Sequence, residues 1–401
     1  MEKQDILQVS PSVKWIGVID YDIVTFDVVM TTEYGSTYNS YFIDAEKKTI
    51  IDTAKETFWQ EYERKIKAVV NPREIEYIVM NHTEPDHSGN LQRLLELAPK
   101  AKVVASAAAI KYLNDMNLKN FDYIIVKDGD TLDLGNKTLR FISAPSLHWP
   151  DTIYSYLEEE NILFTCDSFG CHFADPRMFD DLVDDFDVAF RYYFDVIIKP
   201  FSKFMLKAID KIDKLKIDTI CTGHGPILRK NWKHYVEMTR LWSQKFVLQP
   251  QKTKVFIPYV SAYHRTGIIA EAIGRGLQKA GNIEVDIMDI EQQPLGKIDM
   301  KLTQCNAIIV GSPVINQNIL LPVYKLFGLI NPYRDKGKLA GAFGSYGWSG
   351  ENRVMIEANL RSLKLKYFGE GVFFKFAPDE EAMQKAEAFG EAFGKALLEK
   401  Q

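Results

Sequence analysis

Cysteine is scarce in this chain of 401 residues: Cys166, Cys171, Cys221 and Cys305 are the whole set, and no two form a C-x-x-C pair. That spacing removes a disulfide framework, a thiolate zinc site and a built-in rubredoxin module from consideration, and it suits a reducing cytoplasm. No apolar stretch approaches the ~20 residues that span a bilayer, so no membrane segment is expected. The opening, MEKQDILQVS, has no charged segment followed by an apolar one, and no signal peptide is expected. Lysine and arginine form no run that would build a phosphate-binding face. With a formal net charge of only −5, nucleic acid is not expected as a partner.

What is present is globular in composition and long enough for two domains. Upstream of residue 250, short β-rich runs such as VKWIGVI, EYIVMNH, KTLRFISAP, TIYSYL, NILFTCDS and DTICTGHG are bounded by turn residues and read as strands. TFWQEYERKIKAVV, SGNLQRLLELA and a long segment at 191–215, interrupted at Pro200, read as helices. This mixture predicts an αβ/βα sandwich with a helix layer on each side of two sheets, over residues 1–249. From Lys254 the rhythm changes to strict β-α-β-α. Five strands (KVFIPYVS, NIEVDIMDI, AIIVGSPV, KLAGAFGSYGW, VFFKFAP) alternate with helices that include Thr266–Ala280 and the closing 379–400. A doubly wound, five-stranded parallel sheet is expected over 250–401, with the polar LQPQKTK at 248–254 as linker.

The metal-binding chemistry is concentrated at strand ends. His82, Glu84, Asp86 and His87 fall within six residues after EYIVM, and His148, Asp167 and His224 follow later apolar runs one by one. A lone histidine is more often packed or solvated than ligating. Of the seven histidines here, however, five (82, 87, 148, 172 and 224) lie in or just after these loops, beside three carboxylates. Seven candidate ligands exceed one tetrahedral centre, so two ions sharing a bridge are implied, with Asp167, alone on its strand end, as the natural bridge. Nitrogen and oxygen donors without thiolate suit iron, manganese or zinc. Three carboxylates favour a higher oxidation state, and hence iron.

His82-x-Glu84-x-Asp86-His87 resembles the H-x-H-x-D-H signature of metallo-β-lactamases with glutamate in place of the second histidine, the mark of flavodiiron proteins (A-type flavoproteins). The resemblance implies a metallo-β-lactamase-like domain followed by a flavodoxin-like one. It also implies two irons, one held by His82, Glu84 and His148, the other by Asp86, His87 and His224, with Asp167 between them. His172 then has two readings, a polar group beside the open face of the irons or an ordinary packed residue. Tyr193 is either a proton donor or a core aromatic.

In the C-terminal half, Ser261-Ala262-Tyr263-His264-Arg265-Thr266 leads from a strand into a helix, where hydroxyls, free amides and the helix dipole suit a phosphate. No G-x-x-x-x-G-K-[ST] is present. The segment resembles the S/T-x-x-x-x-T phosphate loop of flavodoxins. Two more loops follow later strands. One is Gly311 and Ser312 with Pro313, Val314, Ile315 and Asn316; the other is Ser345, Tyr346, Gly347, Trp348, Ser349 and Gly350. Aromatic rings, small residues and amides at three strand ends suit the flat ring of flavin mononucleotide (FMN), which these residues are expected to bind.

The resemblance implies reduction of dioxygen to water, or of nitric oxide to nitrous oxide, with an external donor such as rubredoxin. It also implies a head-to-tail homodimer, or a dimer of dimers, that places one subunit's flavin beside the other's irons. Two rivals come from other classes. A zinc hydrolase with an accessory flavodoxin domain is opposed by Glu84. A pure electron carrier on a degenerate scaffold is opposed by the complete ligand set.

Overall fold

The computed structural model describes residues 6–26, 30–248 and 253–399. The chain divides into two compact units, one of residues 1–24 and 32–249, the other of 25–31 and 250–401.

In the first unit one sheet has seven strands in chain order: β1 (Leu7–Gln8), β2 (Val13–Trp15), β3 (Tyr41–Ile43), β4 (Lys48–Ile51), β5 (Ile75–Met80), β6 (Lys102–Ala105) and β7 (Asp122–Ile125). The first four pair antiparallel and the last four parallel. A second sheet follows, β8 (Thr131–Asp133), β9 (Thr138–Ser143), β10 (Ile153–Leu157), β11 (Ile162–Cys166) and β12 (Thr219–Thr222), with β11 and β12 parallel. One core holds the two sheets together: Val13, Tyr41, Val79 and Val104 from the first meet Phe141, Leu157, Phe164 and Cys221 from the second. Full burial of IYSYL and ILFTC on both faces explains their unbroken apolar texture.

Among the described residues this unit has seven α-helices: α1 (Trp59–Val69), α2 (Pro85–Ser88), α3 (Leu91–Leu97), α4 (Ala107–Asp115), α5 (Asp187–Tyr193), α6 (Ser202–Ile212) and α7 (Trp232–Leu248). α6 buries Met205, Ala208, Ile209 and Ile212, the spacing of one helical face, while Lys203 and Lys207 stay exposed. The long helix expected at 191–215 breaks earlier than at Pro200. It ends at Tyr193 and passes through a π turn at Phe194–Ile198 and a 3-10 turn at Lys199–Phe201 before α6 begins. Of the expected linker, Leu248 closes α7, while 249–252 lie outside the described residues.

The second unit is a parallel sheet of β13 (Thr253–Tyr259), β14 (Ile283–Asp289), β15 (Ala307–Gly311), β16 (Leu339–Tyr346), β17 (Lys366–Tyr367) and β18 (Val372–Lys375). The spatial order is β14-β13-β15-β16, and β17 and β18 both pair with β16 to fill the fifth position in two pieces. Helices α8 (Arg265–Ala280), α9 (Leu295–Gln304), α10 (Leu321–Leu329), α11 (Pro332–Asp335), α12 (Glu351–Ser362) and α13 (Glu380–Leu398) cover it, over two cores. α8 and α13 cross so closely that a Cβ on Gly276 would lie 2.0 Å from the Glu387 carbonyl oxygen. A short antiparallel pair, Thr25–Phe26 with Met30–Thr31, packs with α9 in this unit rather than with the sandwich. Its cross-strand apolar residues, Phe26 and Met30, are both buried. All four cysteines are buried and free.

Candidate metal centre and flavin loops

The loop after β5 is pinned by its own backbone. Asp52, at φ 51° directly after β4, accepts the Asn81 N–H at 2.7 Å. The N–H and hydroxyl of Thr53 both donate to the His87 carbonyl, at 2.8 and 2.6 Å. Ser88 Oγ donates to the Thr83 carbonyl at 2.8 Å. The chain then enters α2 through Pro85, whose fixed φ suits a first helical turn. So held, His82, Glu84, Asp86 and His87 meet three residues from the ends of β9, β11 and β12.

The seven side chains sort into two groups about one carboxylate. His82 Nε2 and His148 Nε2 lie 3.3 and 2.9 Å from Glu84 Oε2, and each lies 3.4 Å from Asp167 Oδ2. His87 Nε2 and His224 Nε2 lie 3.3 and 3.1 Å from Asp86 Oδ2, and 3.1 and 3.3 Å from Asp167 Oδ1. The candidate ligand atoms of each group fall within 4.8 Å of one another. Glu84 and His148 are the most exposed members, with 10% and 13% of their side chains in solvent, and Asp86 follows at 7%. Gly223 has to be glycine, because a Cβ there would meet Cys166 backbone at 2.9 Å and the His87 ring at 3.0 Å.

Charge in this pocket is arranged for a cation. Burial disfavours the charged form of every group, yet the opposing partners outweigh it for the histidines. Asp151 and Glu84 hold His82 well above its usual pKa, Asp167 and Glu84 raise His148 to about 9, and Asp167 and Asp86 raise His224 to about 10. Against its burial, Asp167 is pulled well below the carboxylate range by His87, His148 and His224. The carboxylates that favour a positive charge on these imidazoles equally favour a bound cation between them. Asp86 Oδ1 is buried with no hydrogen-bond partner, an orphaned acceptor that such a cation would satisfy. The residues fit a pair of first-row metal ions bound through nitrogen and oxygen. The Cys166 thiol also lies within 4.8 Å of ligand atoms on His87 and Asp167, but burial, Asp52 and Asp167 push its pKa up and keep it protonated.

Outer partners orient these groups, and sequence reasoning missed them. Asp151 accepts from His82 Nδ1 at 3.1 Å and from the N–H and hydroxyl of Thr83, both at 2.8 Å. His224 Nδ1 faces the Thr37 carbonyl at 2.6 Å. The one available signal for Asp151 is its place in the same HWPD turn as His148. Asp151→Asn removes the charge that sets the His82 tautomer. Metal affinity should then fall by about 10–100-fold, read by competition with a chelator, with the fold intact by circular dichroism. Unchanged affinity would show that Thr83 alone holds the turn.

The two residues left open by the sequence both sit at the site. His172 is buried beside His224, ring centroids 4.8 Å apart, with Nδ1 2.7 Å from Ser36 Oγ. Burial and the neighbouring His224 depress its pKa far below the usual value, so it is a neutral imidazole. Tyr193 is buried and its phenol donates to Asp167 Oδ1 at 3.2 Å.

In the second unit Tyr259 pairs with Gly311 and Gly311 with Phe343, so the loops after β13, β15 and β16 leave the sheet from one edge. Ser261 to Thr266 runs into the sixteen-residue α8, with Ser261 and Thr266 buried. Pro313 to Asn316 and Ser345 to Gly350 stand beside it in topological order. Tyr263 and Trp348 hold their rings in solvent, 82% and 86% exposed. Bare aromatic rings in two of these loops, with a helix N-terminus after the first, fit a flat, phosphate-bearing ligand such as FMN.

The comparisons with known proteins agree with both halves. A family model described as ODP family beta lactamase matches residues 37–225, and one described as flavodoxin matches 257–390. The flavo-diiron protein FprA2 of Clostridium acetobutylicum is 40% identical over 399 residues, 98% of this chain and 99% of that protein. A Moorella thermoacetica protein named nitric oxide reductase is 34% identical, over 95% of this chain and 96% of its own. Among solved structures, the rubredoxin oxygen:oxidoreductase of the anaerobe Desulfovibrio gigas superposes with a TM-score of 0.75 at 28% identity, covering 98% of this chain and 99% of that one. A sandwich with seven convergent metal-type ligands, a flavodoxin-like unit and full-length relatives together place this chain among the flavodiiron proteins, oxidoreductases that carry FMN and a pair of irons.

Proposed function

We propose that the chain reduces dioxygen to water at a diiron site, with electrons reaching it through FMN from a small external donor, a rubredoxin or its like. His82, Glu84 and His148 hold one iron, Asp86, His87 and His224 the other, and Asp167 bridges them. FMN is held by Ser261–Thr266, Pro313–Asn316 and Ser345–Gly350. The observation that carries the reading is the position of Asp167, one oxygen turned to each group of imidazoles. When bound, the irons and the flavin supply the electrons and the coordination positions at which the gas is reduced.

The chain's own residues supply access, orientation and protons. Glu84 and His148, the most exposed of the seven, lie where a gas molecule would approach the pair. Tyr193 holds its proton on Asp167 Oδ1, at the centre of the pair. Burial and the Asp167 charge raise its pKa well above the usual phenol value, so it acts as a hydrogen-bond donor. His172, neutral and tied to Ser36, keeps an imidazole next to His224 without adding a positive charge.

We further propose that the active species is a head-to-tail homodimer, or a pair of such dimers, in the cytoplasm. Four free thiols suit that compartment, and among the described residues no helix is long and apolar enough to cross a membrane. Reduction of nitric oxide to nitrous oxide is the second reading, favoured by the relative named for that activity. A zinc hydrolase is disfavoured by Glu84, a carboxylate where hydrolytic relatives keep a histidine.

Anaerobic turnover with a reduced rubredoxin, dioxygen and nitric oxide as alternative acceptors, and iron and flavin assayed in the same sample, tests the reading. About two irons and one flavin per chain with dioxygen consumed and no peroxide released is the expected result. Faster nitric oxide turnover would move the second reading to the front. Zinc in place of iron, or neither gas consumed, would overturn both.

A further inference from the structure

The irregular stretch between α5 and α6 touches both halves of the candidate metal centre. The π turn at Phe194–Ile198 winds more loosely than an α-helix and the 3-10 turn at Lys199–Phe201 more tightly, so the direction in which Phe201 leaves the helix is set by this pair of turns. Before the turn, the Tyr193 phenol reaches Asp167 Oδ1 at 3.2 Å. After it, the Phe201 ring lies 6.5 Å from the His148 ring. In an unbroken α-helix these two residues, eight apart, would already share one broad face; the irregular turn between them sets how each is placed against the site.

A π turn is intrinsically poorer than an α turn, and the structure shows what holds this one. The buried Asp195 carboxylate sits inside it. Arg191, one turn earlier, donates to Asp195 through Nε at 2.8 Å and Nη2 at 3.1 Å. Lys199, one turn later, donates through Nζ at 3.0 Å. Both cations are themselves packed on α7: the Arg191 guanidinium lies 4.5 Å from the Trp242 ring centre, and Lys199 Nζ 5.7 Å from that of Phe246. The carboxylate therefore bridges the π turn from end to end, and α7 anchors the bridge.

We propose that Asp195 is a positioning residue for the metal centre, acting through the π turn to set Tyr193 on Asp167 and Phe201 on His148. The proposal rests on the reading of that centre as the iron site, but its first test needs no metal. Amide hydrogen exchange over 190–202 in the metal-free full-length chain should quicken about tenfold or more in Asp195→Asn, which keeps the shape and removes the charge. Unchanged exchange would overturn the proposal.

The second test separates positioning from general support. In the iron- and flavin-loaded protein, Asp195→Asn should keep the wild-type iron content while altering the electron paramagnetic resonance signal of the half-reduced iron pair. Its turnover should fall by about tenfold, the lower end of what losing an outer partner does. Because the effect is to run through Tyr193 and Phe201 together, adding Asp195→Asn to the double variant Tyr193→Phe, Phe201→Leu should slow it no further. Multiplying effects, or a wild-type resonance signal in Asp195→Asn, would overturn the proposal. Should Asp195→Asn fail to fold, Lys199→Gln loosens the same bridge from its other end and faces the same comparisons. Absence of iron from the wild-type protein would instead sink the functional reading, and the exchange result would still decide the role of Asp195.

Discussion

Asp167→Ala is expected to leave the protein with less than one iron per chain and to reduce gas turnover by more than the ~100-fold typical of losing an outer partner. The size follows from geometry. Six of the seven candidate ligands serve one group each, but Asp167 presents Oδ2 to His82 and His148, and Oδ1 to His87 and His224. Removing it takes a ligand from both positions at once, along with the negative charge that makes four converging imidazoles tolerable. Asp167→Asn sharpens the result. The amide has one acceptor oxygen, so one group keeps its ligand and the other faces an NH2. Metal content near half that of the wild type is expected for this variant. Iron assay on freshly reconstituted protein measures both, and full occupancy in the alanine variant would end the bridging assignment.

The second large effect is on stability. Gly390→Ala should destabilise the flavodoxin-like unit by about 2–4 kcal/mol, although alanine is the better helix former by about 1 kcal/mol. The packing cost wins because of what the new Cβ meets: the Ile273 carbonyl oxygen at 2.2 Å and its carbonyl carbon at 3.0 Å. These are backbone atoms of α8 and cannot rotate away as a side-chain tip would. The two helices have to separate, which opens the core that Ile273, Leu277, Phe393 and Leu397 close. A fall of roughly 5–15 °C in the melting temperature of that unit is expected. FMN release should follow the same transition, since α8 carries the proposed phosphate loop at its start. An unshifted transition would mean that the helices part at no cost.

The sandwich and the doubly wound sheet were legible because their strands are apolar runs ended by turn residues, and such runs are set by burial alone. The seven metal-type ligands were legible for a related reason. Each stands where a buried strand ends, and buried imidazoles and carboxylates have few other uses there. Asp151 and Asp52 escaped notice because a carboxylate that orients a neighbour has no characteristic spacing; its meaning lies in a contact between distant segments. α9 escaped because its buried face is Gly296, Ile298, Asp299 and Leu302, too short and too polar to give a clear period. The π turn could not be read either, since an α-helical pattern with one extra residue looks like an α-helical pattern with a proline in it. The division of the fifth strand has a local cause. Gly369 and Gly371 take φ values of 62° and 73°, which interrupt pairing between Tyr367 and Val372. A Cβ at Gly371 would also meet the Ala342 carbonyl oxygen at 2.4 Å.

The buried cysteines give the molecule an internal clock. A thiol shielded from solvent reacts with an alkylating reagent only while the structure around it is open. Cys166, Cys171 and Cys221 belong to the sandwich and Cys305 to the flavodoxin-like unit, so one labelling reaction times the opening of each unit separately. Because Cys166 and Asp167 are adjacent in the chain, occupation of the metal centre should slow the first clock and leave the second unchanged. The few thiols that rule out a disulfide scaffold thereby become native reporters of how each half breathes.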